Sequence, residues 1–457
     1  MAKGFFPKNE RDSELDRFRF RIVFAAIAVL LAFAILLTRF SWLQIVRHEY
    51  YITRAEDNRI SLVPIPPNRG IIVDRNGTIL ARNYSAFTLE ITPSKVEDLD
   101  AMIEQLGTLI EILPKDRRRF RKLLEESKSF ESLPIRTRLS DEEVARFAAH
   151  RYRFPGVEVK ARLFRQYPLG GIASHALGYI NRINKADLEI IEKAEQSANY
   201  KGTEHIGKTG LEKSYEFQLH GETGYEEVEI DAGGRAVRSL SRTAPVSGNN
   251  LTLTLDAKLQ EITEKAFGDR RGALVAIEPS TGGILALVST PTFDPNLFVD
   301  GIRTEDWDLL NNSPDRPMVN RALNGAYPPG STIKMSNALA ALETGLMDPE
   351  ETVACNGYVE ISGRRFHCWK RGGHGRVDLT RALEESCDVW FYEVAQKAGI
   401  DQIAEMGRAL GLGIRHDLPM SAITEGAMPD KAWLQERYKQ EWRVGDTINA
   451  SIGQGYV

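Results

Sequence analysis

The sequence has no strong net charge, no internal repeat and no low-complexity tract. Its 59 Lys and Arg residues nearly balance 63 Asp and Glu residues, so the formal net charge is -4. Nucleic-acid-binding proteins carry a clear basic excess, so this balance gives no indication of a nucleic-acid partner. The one short basic run, residues 115–122, is most simply a solvated helix face. A chain of 457 residues with 42% hydrophobic residues is long enough for roughly two or three folded domains.

Cysteine is scarce, and the three that occur, Cys355, Cys368 and Cys387, lie close together with His374 among them. Three thiolates and one imidazole suit a tetrahedral structural zinc site. The tight cysteine pairs of zinc fingers are missing, so two alternatives stay open. One is a disulfide between Cys355 and Cys368 that leaves Cys387 free and buried, and the other is three free thiols. His367 is an alternative ligand, but it is adjacent to Cys368 and less easily brought to the same metal.

One apolar run near the N-terminus is long enough to cross a bilayer. Residues 22–38 carry no charge and span about 26 Å as a helix, and residues 40–46 extend the run past Arg39, which can snorkel. Basic residues precede the run, so the positive-inside rule predicts a cytoplasmic tail (1–21), a transmembrane anchor (22–46) and an external remainder. No small-residue cleavage site follows, which predicts an anchor that is not removed. The alternative is a buried core helix.

Residues 327–334 read Tyr-Pro-Pro-Gly-Ser-Thr-Ile-Lys. Two prolines and a glycine cannot extend a helix backwards, so a helix over 331–345 is predicted with Ser331 in its first turn and Lys334 on the same face. A lysine amine can take the serine proton, and a helix N-terminus offers N–H groups to an oxyanion. The pair alone is a weak signal, because a serine cap followed by a lysine one turn later also matches.

Local patterns predict several further elements. Residues 71–73 followed by Asp-Arg-Asn-Gly indicate a hairpin. The remaining predicted elements are helices over 96–112, 116–127 and 140–150, the last with a Ser140 and Glu143 capping box, strands over 225–229 and 236–240 with a turn at 233–234, and a hairpin of 273–277 with 284–288.

A series of short motifs in a specific order carries a family resemblance. The motifs are Arg69-Gly70, Asp74-Arg75-Asn76-Gly77, Gly207 with Gly210-Leu211-Glu212, Thr254-Leu255-Asp256, Asn320-Arg321-Ala322, Tyr327 to Lys334, and Ser386-Cys387-Asp388. With the single anchor, they make the chain resemble, over essentially its whole length, the class B penicillin-binding proteins of the rod-shape elongation machinery.

The resemblance implies a fold and a domain organisation. The fold would be an α/β transpeptidase domain of the penicillin-binding and β-lactamase-like type, incomplete here, in residues 250–457. An elongated α+β pedestal of the dimerisation type, residues 47–249 with a helical head insertion about 96–150, and one N-terminal transmembrane helix would precede it. No Lys-Thr-Gly or Lys-Ser-Gly signature follows Ser386. We therefore expect the chain to be part of a longer reading frame and to acylate poorly or not at all by itself.

The resemblance also implies roles for individual residues. Ser331 would be the acyl-forming nucleophile and Lys334 its general base. Ser386 would relay a proton to the leaving D-alanine, and Asp388 would hold Lys334 or the substrate. A structural role for Ser386, capping or flanking the apolar helix over 389–398, is the alternative.

Two further points concern the motifs. Lys208-Thr209-Gly210 matches the letters of the third signature but precedes Ser331 and leads into a helical pattern, so we expect a structural turn there. If zinc binds the cysteines, Cys387 would tie the loop that carries Ser386 and Asp388 to residues 355–374.

The activity implied is a peptidoglycan D,D-transpeptidase that cross-links stem peptides in the periplasm, needs no cofactor for acyl transfer, and is acylated by β-lactam antibiotics. Its implied partners are the membrane, a RodA-type glycan polymerase and other elongation-complex proteins, because nothing before residue 250 resembles a glycosyltransferase site. Two alternatives stay open. One is a hydrolytic relative, a D,D-carboxypeptidase or β-lactam sensor, and the other is a non-catalytic scaffold or activator of the polymerase.

Overall fold

The computed structural model describes residues 10–47, 60–126, 131–230, 236–420 and 422–457. Its helices are α1 Glu10–Ser41, α2 Leu99–Gly107, α3 Pro114–Glu126, α4 Asp141–His150, α5 Ser174–Leu177, α6 Lys185–Lys193, α7 Gly210–Ser214, α8 Glu216–His220, α9 Ala257–Phe267, α10 Thr304–Asn311, α11 Arg321–Asn324, α12 Lys334–Glu343, α13 Leu379–Glu384, α14 Asp388–Ala409, α15 Lys431–Tyr438 and α16 Val444–Ala450.

The strands are β1 Ile60–Ile65, β2 Ile72–Val73, β3 Ile79–Ile91, β4 Leu133–Leu139, β5 Val157–Gln166, β6 Ile180–Arg182, β7 His205–Gly207, β8 Gly221–Glu222, β9 Gly224–Ile230, β10 Ala236–Thr243, β11 Val246–Ser247, β12 Leu251–Thr252, β13 Gly272–Ile277, β14 Ile284–Thr290, β15 Val353–Cys355, β16 Tyr358–Ile361, β17 Arg364–His367 and β18 Gly375–Val377.

Helix α1 continues into a short π-helical turn, Trp42–Val46. The span Phe18–Val46 is long and apolar enough to cross a membrane, and none of its most apolar window is buried in the protein. The alternative of a buried core helix is therefore wrong. The guanidinium groups of Arg39 and Arg47 lie 4.7 and 4.8 Å from the Trp42 ring centre, an arrangement that suits a membrane interface.

The first half of the chain is built on a five-stranded sheet in the order β12-β2-β3-β4, with β5 also paired to β3. The predicted hairpin at residues 71–77 is confirmed, since β2 pairs antiparallel with β3. Strand β12 pairs in parallel with β2, so residues 251–252, at the predicted start of the second half, belong to this sheet. A second sheet has the order β1-β9-β10. The turn predicted at residues 233–234 lies outside the described residues.

The three helical patterns within residues 96–150 are confirmed as α2, α3 and α4. These helices pack against β3 and β4, which the sequence did not predict. Their apolar residues form one core with the sheet, which includes Leu89, Leu106, Phe120 and Phe147. The Ser140 and Glu143 capping box is confirmed by both reciprocal hydrogen bonds. The first helix is shorter than predicted because Asp98 caps it by accepting from the Ala101 N–H.

The second half of the chain contains the predicted β13 and β14 hairpin and a separate core around α12 and α14. Helix α14 buries Trp390 and Phe391 and bends at Gly399, whose φ of 72° is not helical. These two helices pack together directly, and the residues of the candidate site lie at their first residues and in the turns just before them. Their contact brings residues more than fifty positions apart into one place.

Candidate active site

Ser331 lies in a 3-10 turn, Gly330–Ile333, directly before α12. The α-helix therefore begins at Lys334 and not at Ser331 as predicted. The reason is local: Gly330 has φ of 56°, and the Thr332 hydroxyl donates to the Pro329 carbonyl at 2.7 Å. Ser331 is exposed and Lys334 is buried at 1% exposure. The hydroxyl is thus open to a substrate while the amine is shielded from water.

The turn around Ser331 and the start of α12 are hydrogen-bonded to the residues that follow α16. The Gly330 N–H donates to the Gly453 carbonyl at 3.0 Å, and Asn337 Nδ2 donates to the Ser451 carbonyl at 2.7 Å. A Cβ at Gly453 would meet the Gly330 carbonyl oxygen at 2.2 Å. The close approach of these two backbones requires glycine at position 453.

The amine of Lys334 is surrounded by the second predicted motif. Lys334 Nζ donates to Asp388 Oδ1 at 2.6 Å, to Ser386 Oγ at 3.0 Å and to the Ser386 carbonyl at 2.9 Å. It also lies 5.4 Å from the centre of the Phe391 ring. The structure thus places three of the four predicted catalytic residues in direct contact, and Ser331 three residues from Lys334 on the preceding turn.

Ser386 ends helix α13 in a conformation that usually calls for glycine. Its φ is 53°, its N–H donates to the Leu383 carbonyl at 3.2 Å, and the next N–H, of Cys387, donates to the Ala382 carbonyl at 2.8 Å. This is a Schellman helix end with Ser386 at the left-handed position. A serine there is strained relative to glycine, and it provides a hydroxyl within hydrogen-bond distance of Lys334.

Trp369 was not predicted as a site residue. Its backbone N–H donates to Asp388 Oδ2 at 2.9 Å, and its indole Nε1 donates to the carbonyls of Glu385 and Ser386 at 3.0 and 3.1 Å. The only signal in the sequence was its position directly after Cys368. Contacts of this kind depend on how distant segments pack, so spacing could not reveal them.

The three cysteines and His374 converge beside this loop. Their ligand atoms all lie within 4.8 Å of one another, and all four residues are buried. Nδ1 of His374 lies 3.5 Å from Cys355 Sγ and 3.6 Å from Cys368 Sγ. All three cysteines are free thiols. Burial raises the pKa of the Cys387 thiol to about 12 and lowers the pKa of His374, as expected for ionisable groups packed in an apolar interior.

The motifs from the first half meet in a buried charge network. Arg69 Nε donates to Glu212 Oε2 at 2.7 Å, and Arg165 Nε donates to Glu212 Oε1 at 2.7 Å. Arg69 also pairs with Glu216, which accepts from the Gly207 N–H at 2.8 Å. Burial opposes ionisation of Glu212, but the attraction of Arg165 and Arg69 holds its pKa below the ordinary value. In this fold the motifs form one buried network of ion pairs and hydrogen bonds.

Two other motifs join the two halves of the chain. Asp74 Oδ2 accepts from the Ala257 N–H at 3.0 Å, and Asn76 Nδ2 donates to Asp256 Oδ2 at 3.2 Å. The Lys208-Thr209-Gly210 segment leads into α7, with Gly210 at φ of 58°. The prediction that it forms a structural turn is confirmed.

The chain matches two domain families. Residues 64–253 match the penicillin-binding protein dimerisation domain, and residues 272–456 match the penicillin-binding protein transpeptidase domain. It is 44% identical over 438 residues to the peptidoglycan D,D-transpeptidase MrdA of Escherichia coli strain K12, a match that covers 95% of this chain and 69% of that relative.

Solved structures agree with these matches. The complex between penicillin-binding protein PBP2 and MreC from Helicobacter pylori superposes with a TM-score of 0.76 at 30% identity, covering 87% of this chain and 74% of that chain. A peptidoglycan synthase complex that coordinates polymerization and crosslinking gives a TM-score of 0.65 at 29% identity, covering 96% and 74%. The predicted fold class, a pedestal followed by a transpeptidase domain, is confirmed.

Proposed function

The chain belongs to the MrdA family of peptidoglycan D,D-transpeptidases, and from this we propose that it cross-links stem peptides through an acyl-enzyme formed on Ser331. The observation that carries the proposal is the position of Lys334 Nζ. It lies between Ser386 Oγ and Asp388 Oδ1, one turn from the exposed Ser331. A buried amine with a second hydroxyl in contact is the arrangement that serine activation and proton relay require.

The chemistry follows from these contacts. Lys334 Nζ first gives up the proton that it holds while paired with Asp388. The amine then takes the proton from Ser331 Oγ while Oγ attacks the carbonyl carbon of the penultimate D-alanine. The tetrahedral intermediate collapses as the proton passes through Ser386 Oγ to the nitrogen of the terminal D-alanine, which leaves. An amine of a neighbouring stem peptide then attacks the ester carbonyl and forms an amide. The bond to Ser331 Oγ breaks, and the proton that the attacking amine loses passes through Lys334 to Ser331 Oγ. Asp388 orients Lys334 throughout by its charge-assisted hydrogen bond.

Two alternatives share parts of this site. A D,D-carboxypeptidase would use water in place of the acceptor amine, but the large pedestal favours a protein that works within an assembly. A non-catalytic scaffold would leave Ser331 without a chemical role. The deciding quantity is the product, which is a cross-linked dimer for a transpeptidase, a trimmed monomer for a carboxypeptidase and neither for a scaffold.

The test uses the complete gene product with a fluorescent penicillin and with synthetic stem-peptide substrates. We expect Ser331→Ala to abolish covalent labelling and formation of cross-linked dimers. Ser362→Ala, which removes an exposed hydroxyl from the turn between β16 and β17, serves as the control and should keep labelling. Unchanged labelling of Ser331→Ala would refute the nucleophile assignment. Trimmed monomers without dimers would favour the carboxypeptidase.

The anchor and the relatives support a place in the membrane and in an assembly. The apolar N-terminal helix and the MrdA relationship indicate a single-pass membrane protein. We infer a cytoplasmic N-terminus from the basic residues before the span. Alkaline phosphatase fused after residue 47 should be active if the N-terminus is cytoplasmic. If a fusion placed before residue 18 were active instead, we would conclude that the orientation is the reverse.

The relatives also suggest partners. One solved relative is a complex with MreC, and another is a peptidoglycan synthase complex. We propose that this chain contacts a RodA-type polymerase through its anchor and pedestal. Co-purification after crosslinking from cells should depend on residues 18–46. A foreign membrane span of equal length that preserved the complex would show that the anchor sequence is not recognised.

We further propose that Cys355, Cys368, His374 and Cys387 hold a structural zinc ion. In a tetrahedral site with Zn–S of about 2.3 Å and Zn–N of about 2.0 Å, sulfur and nitrogen ligands are about 3.5 Å apart. The two S–N distances in the structure, 3.5 and 3.6 Å, fit that geometry. His374 Nε2 lies 3.7 Å from Glu385 Oε2, where a carboxylate can orient a ligating imidazole. The metal would stabilise the loop and take no part in acyl transfer.

Elemental analysis of protein purified under reducing conditions without chelator tests the zinc site. We expect about one zinc per chain, a ratio that matches the one such cluster among the residues that the structure describes. Cys368→Ser should lower the zinc content, and His367→Ala should not. Absence of zinc in the unmodified protein would refute the proposal, and a thiol titration would then separate a disulfide from free cysteines.

A further inference from the structure

Trp369 presents most of its ring to solvent and directs its only polar group at the loop that carries Ser386. The residue is 64% exposed. Its indole N–H is shared between the carbonyls of Glu385 and Ser386. The ring is not buried in a core, and its hydrogen bonds are the contacts that join this side chain to the Ser386 loop.

The carbonyls that Trp369 binds belong to the strained end of α13. Helix ends leave backbone carbonyls without intrahelical partners, and these need other donors. The Ser386 carbonyl has two donors, Lys334 Nζ at 2.9 Å and the Trp369 indole at 3.1 Å. Because the Ser386 backbone is left-handed at φ of 53°, its carbonyl and its hydroxyl both turn toward Lys334. The two donors oppose the relaxation of this backbone to an ordinary conformation.

The position of Trp369 is itself set by its neighbours. Cys368 is buried in the cluster with His374, and its N–H donates to the Gly357 carbonyl at 2.9 Å. The Trp369 ring meets His374 edge-on, with ring centres 5.5 Å apart. The backbone N–H of Trp369 donates a hydrogen bond to Asp388 Oδ2. Trp369 therefore connects the cysteine and histidine cluster to Ser386 and Asp388, the two residues that accept hydrogen bonds from Lys334.

We propose that Trp369 is a positioning residue for acyl transfer. Its indole N–H holds Ser386 in the left-handed conformation that keeps the Ser386 hydroxyl on Lys334. The proposal deepens the proposed function and rests on it, since it concerns the proton relay of the same site. Trp369 does not touch the reacting atoms, and it acts through Ser386.

The test removes only the indole N–H. In the complete gene product, Trp369 is replaced by β-(3-benzothienyl)alanine, which keeps the ring shape and has sulfur in place of N–H. The acylation rate is measured at increasing penicillin concentrations until it saturates. The plateau gives the first-order acylation constant, and the concentration at half-saturation gives the dissociation constant. We expect the acylation constant to fall about tenfold, which corresponds to the loss of one hydrogen bond to the relay, and the dissociation constant to change less than about twofold. The same replacement at Trp307, an exposed tryptophan of α10, is the matched control and should change neither.

A crystal structure of the Trp369 variant gives a second readout that does not need activity. We expect Ser386 to leave the left-handed region and the distance from Lys334 Nζ to Ser386 Oγ to exceed 3.5 Å. An unchanged acylation constant together with an unchanged Ser386 would overturn the proposal. A change in the dissociation constant alone would also overturn it, because the ring would then be a substrate contact.

The two proposals fail in different ways. Labelling that persists in Ser331→Ala would refute the nucleophile assignment. The crystal structure of the Trp369 variant would then still test whether Trp369 positions Ser386. Labelling that is lost in Ser331→Ala but unaffected by the indole replacement would refute the role of Trp369 alone.

Discussion

Lys334 Nζ lies 2.6 Å from Asp388 Oδ1, and the two side chains are only 2% and 11% exposed. The pair joins the start of α12, which carries the nucleophile turn, to the start of α14, which follows the Ser386 loop. A buried pair of this kind costs desolvation to form and is strongly destabilising when one partner is lost. It therefore fixes the relative position of the two parts of the site as well as the orientation of the amine.

We expect Asp388→Asn to lower the free energy of unfolding by ~3 kcal/mol, because it leaves the Lys334 ammonium buried beside a neutral amide. Adding Lys334→Met should recover part of this loss, since no buried charge then remains. Urea midpoints for the four combinations give the coupling between the residues. A coupling below ~0.5 kcal/mol would contradict the importance of the pair. Every variant without Lys334 should lose acylation.

Gly453→Ala tests whether the support behind Ser331 matters. The added Cβ would approach the Gly330 carbonyl oxygen to 2.2 Å, so the turn that carries Ser331 must shift. We expect the acylation constant to fall by more than about tenfold, because sub-ångström displacement of a nucleophile has effects of this size. Gly426→Ala is the matched control, since Gly426 also has positive φ but open space around it. Equal effects of both substitutions on acylation would show that backbone strain alone is responsible.

The ion pairs of Glu212 should make the stability of the protein depend on pH in the acid range. The folded-state pKa of Glu212 lies below its ordinary value because Arg165 and Arg69 outweigh the effect of burial. Its stabilising effect is therefore present above the unfolded pKa, about 4.3, and is lost as pH falls through the folded pKa. Glu212→Gln should lower stability at pH 7 by ~3 kcal/mol and flatten the acid limb of the stability curve.

Thermal melts of Glu212→Gln from pH 7 to pH 3 measure both effects. The comparison is Glu104→Gln, which removes an exposed partner of Arg117 and should change stability little. An acid limb in Glu212→Gln identical to that of the unmodified protein would show that Glu212 does not contribute to it.

His175 should contribute a pH dependence of its own. Burial lowers the pKa of His175 to about 4, and the ring packs edge-on against Phe293 with centres 5.2 Å apart. Because the folded pKa lies below the unfolded value of about 6.5, the unfolded state binds the proton more strongly, and stability falls as pH drops from about 6.5 to about 4. The loss is at most roughly 3 kcal/mol.

His175→Phe keeps an aromatic ring next to Phe293 and removes the titration. Stability measured against pH should therefore decline less steeply between pH 6.5 and pH 4 in the variant, with pH 8 as the common reference. Parallel curves for the two proteins would contradict the role of His175.

Elements whose causes are local followed from the sequence. The Ser140 and Glu143 capping box, the β2 and β3 hairpin and the β13 and β14 hairpin form where residues a few positions apart satisfy one another, so their patterns can be read directly. The Ser331 and Lys334 spacing is local in the same sense. The exact start of α12 was not predicted, because a proline and a glycine with positive φ convert the first turn to a 3-10 turn.

The motif order indicated the family without any geometry, because it can be read directly along the chain. What several of these motifs contact became known only from the tertiary structure. Arg69 and Glu212 are 143 positions apart and share one buried network, and Asp74 and Ala257 join the two halves of the chain. No periodic pattern encodes such pairs, since they depend on how the sheet and the helices pack.

The sequence by itself determined which residue types were available to the site: a serine and lysine one turn apart, a second serine with a carboxylate, and three cysteines with a histidine. Tertiary structure alone decided what they contact. It placed Asp388 and Ser386 on Lys334, forced Ser386 into the left-handed conformation, and brought Trp369 onto the same loop. The physical reason is that helices and turns arise from hydrogen bonds between near neighbours in the chain, whereas a buried site arises from the packing of helix against helix.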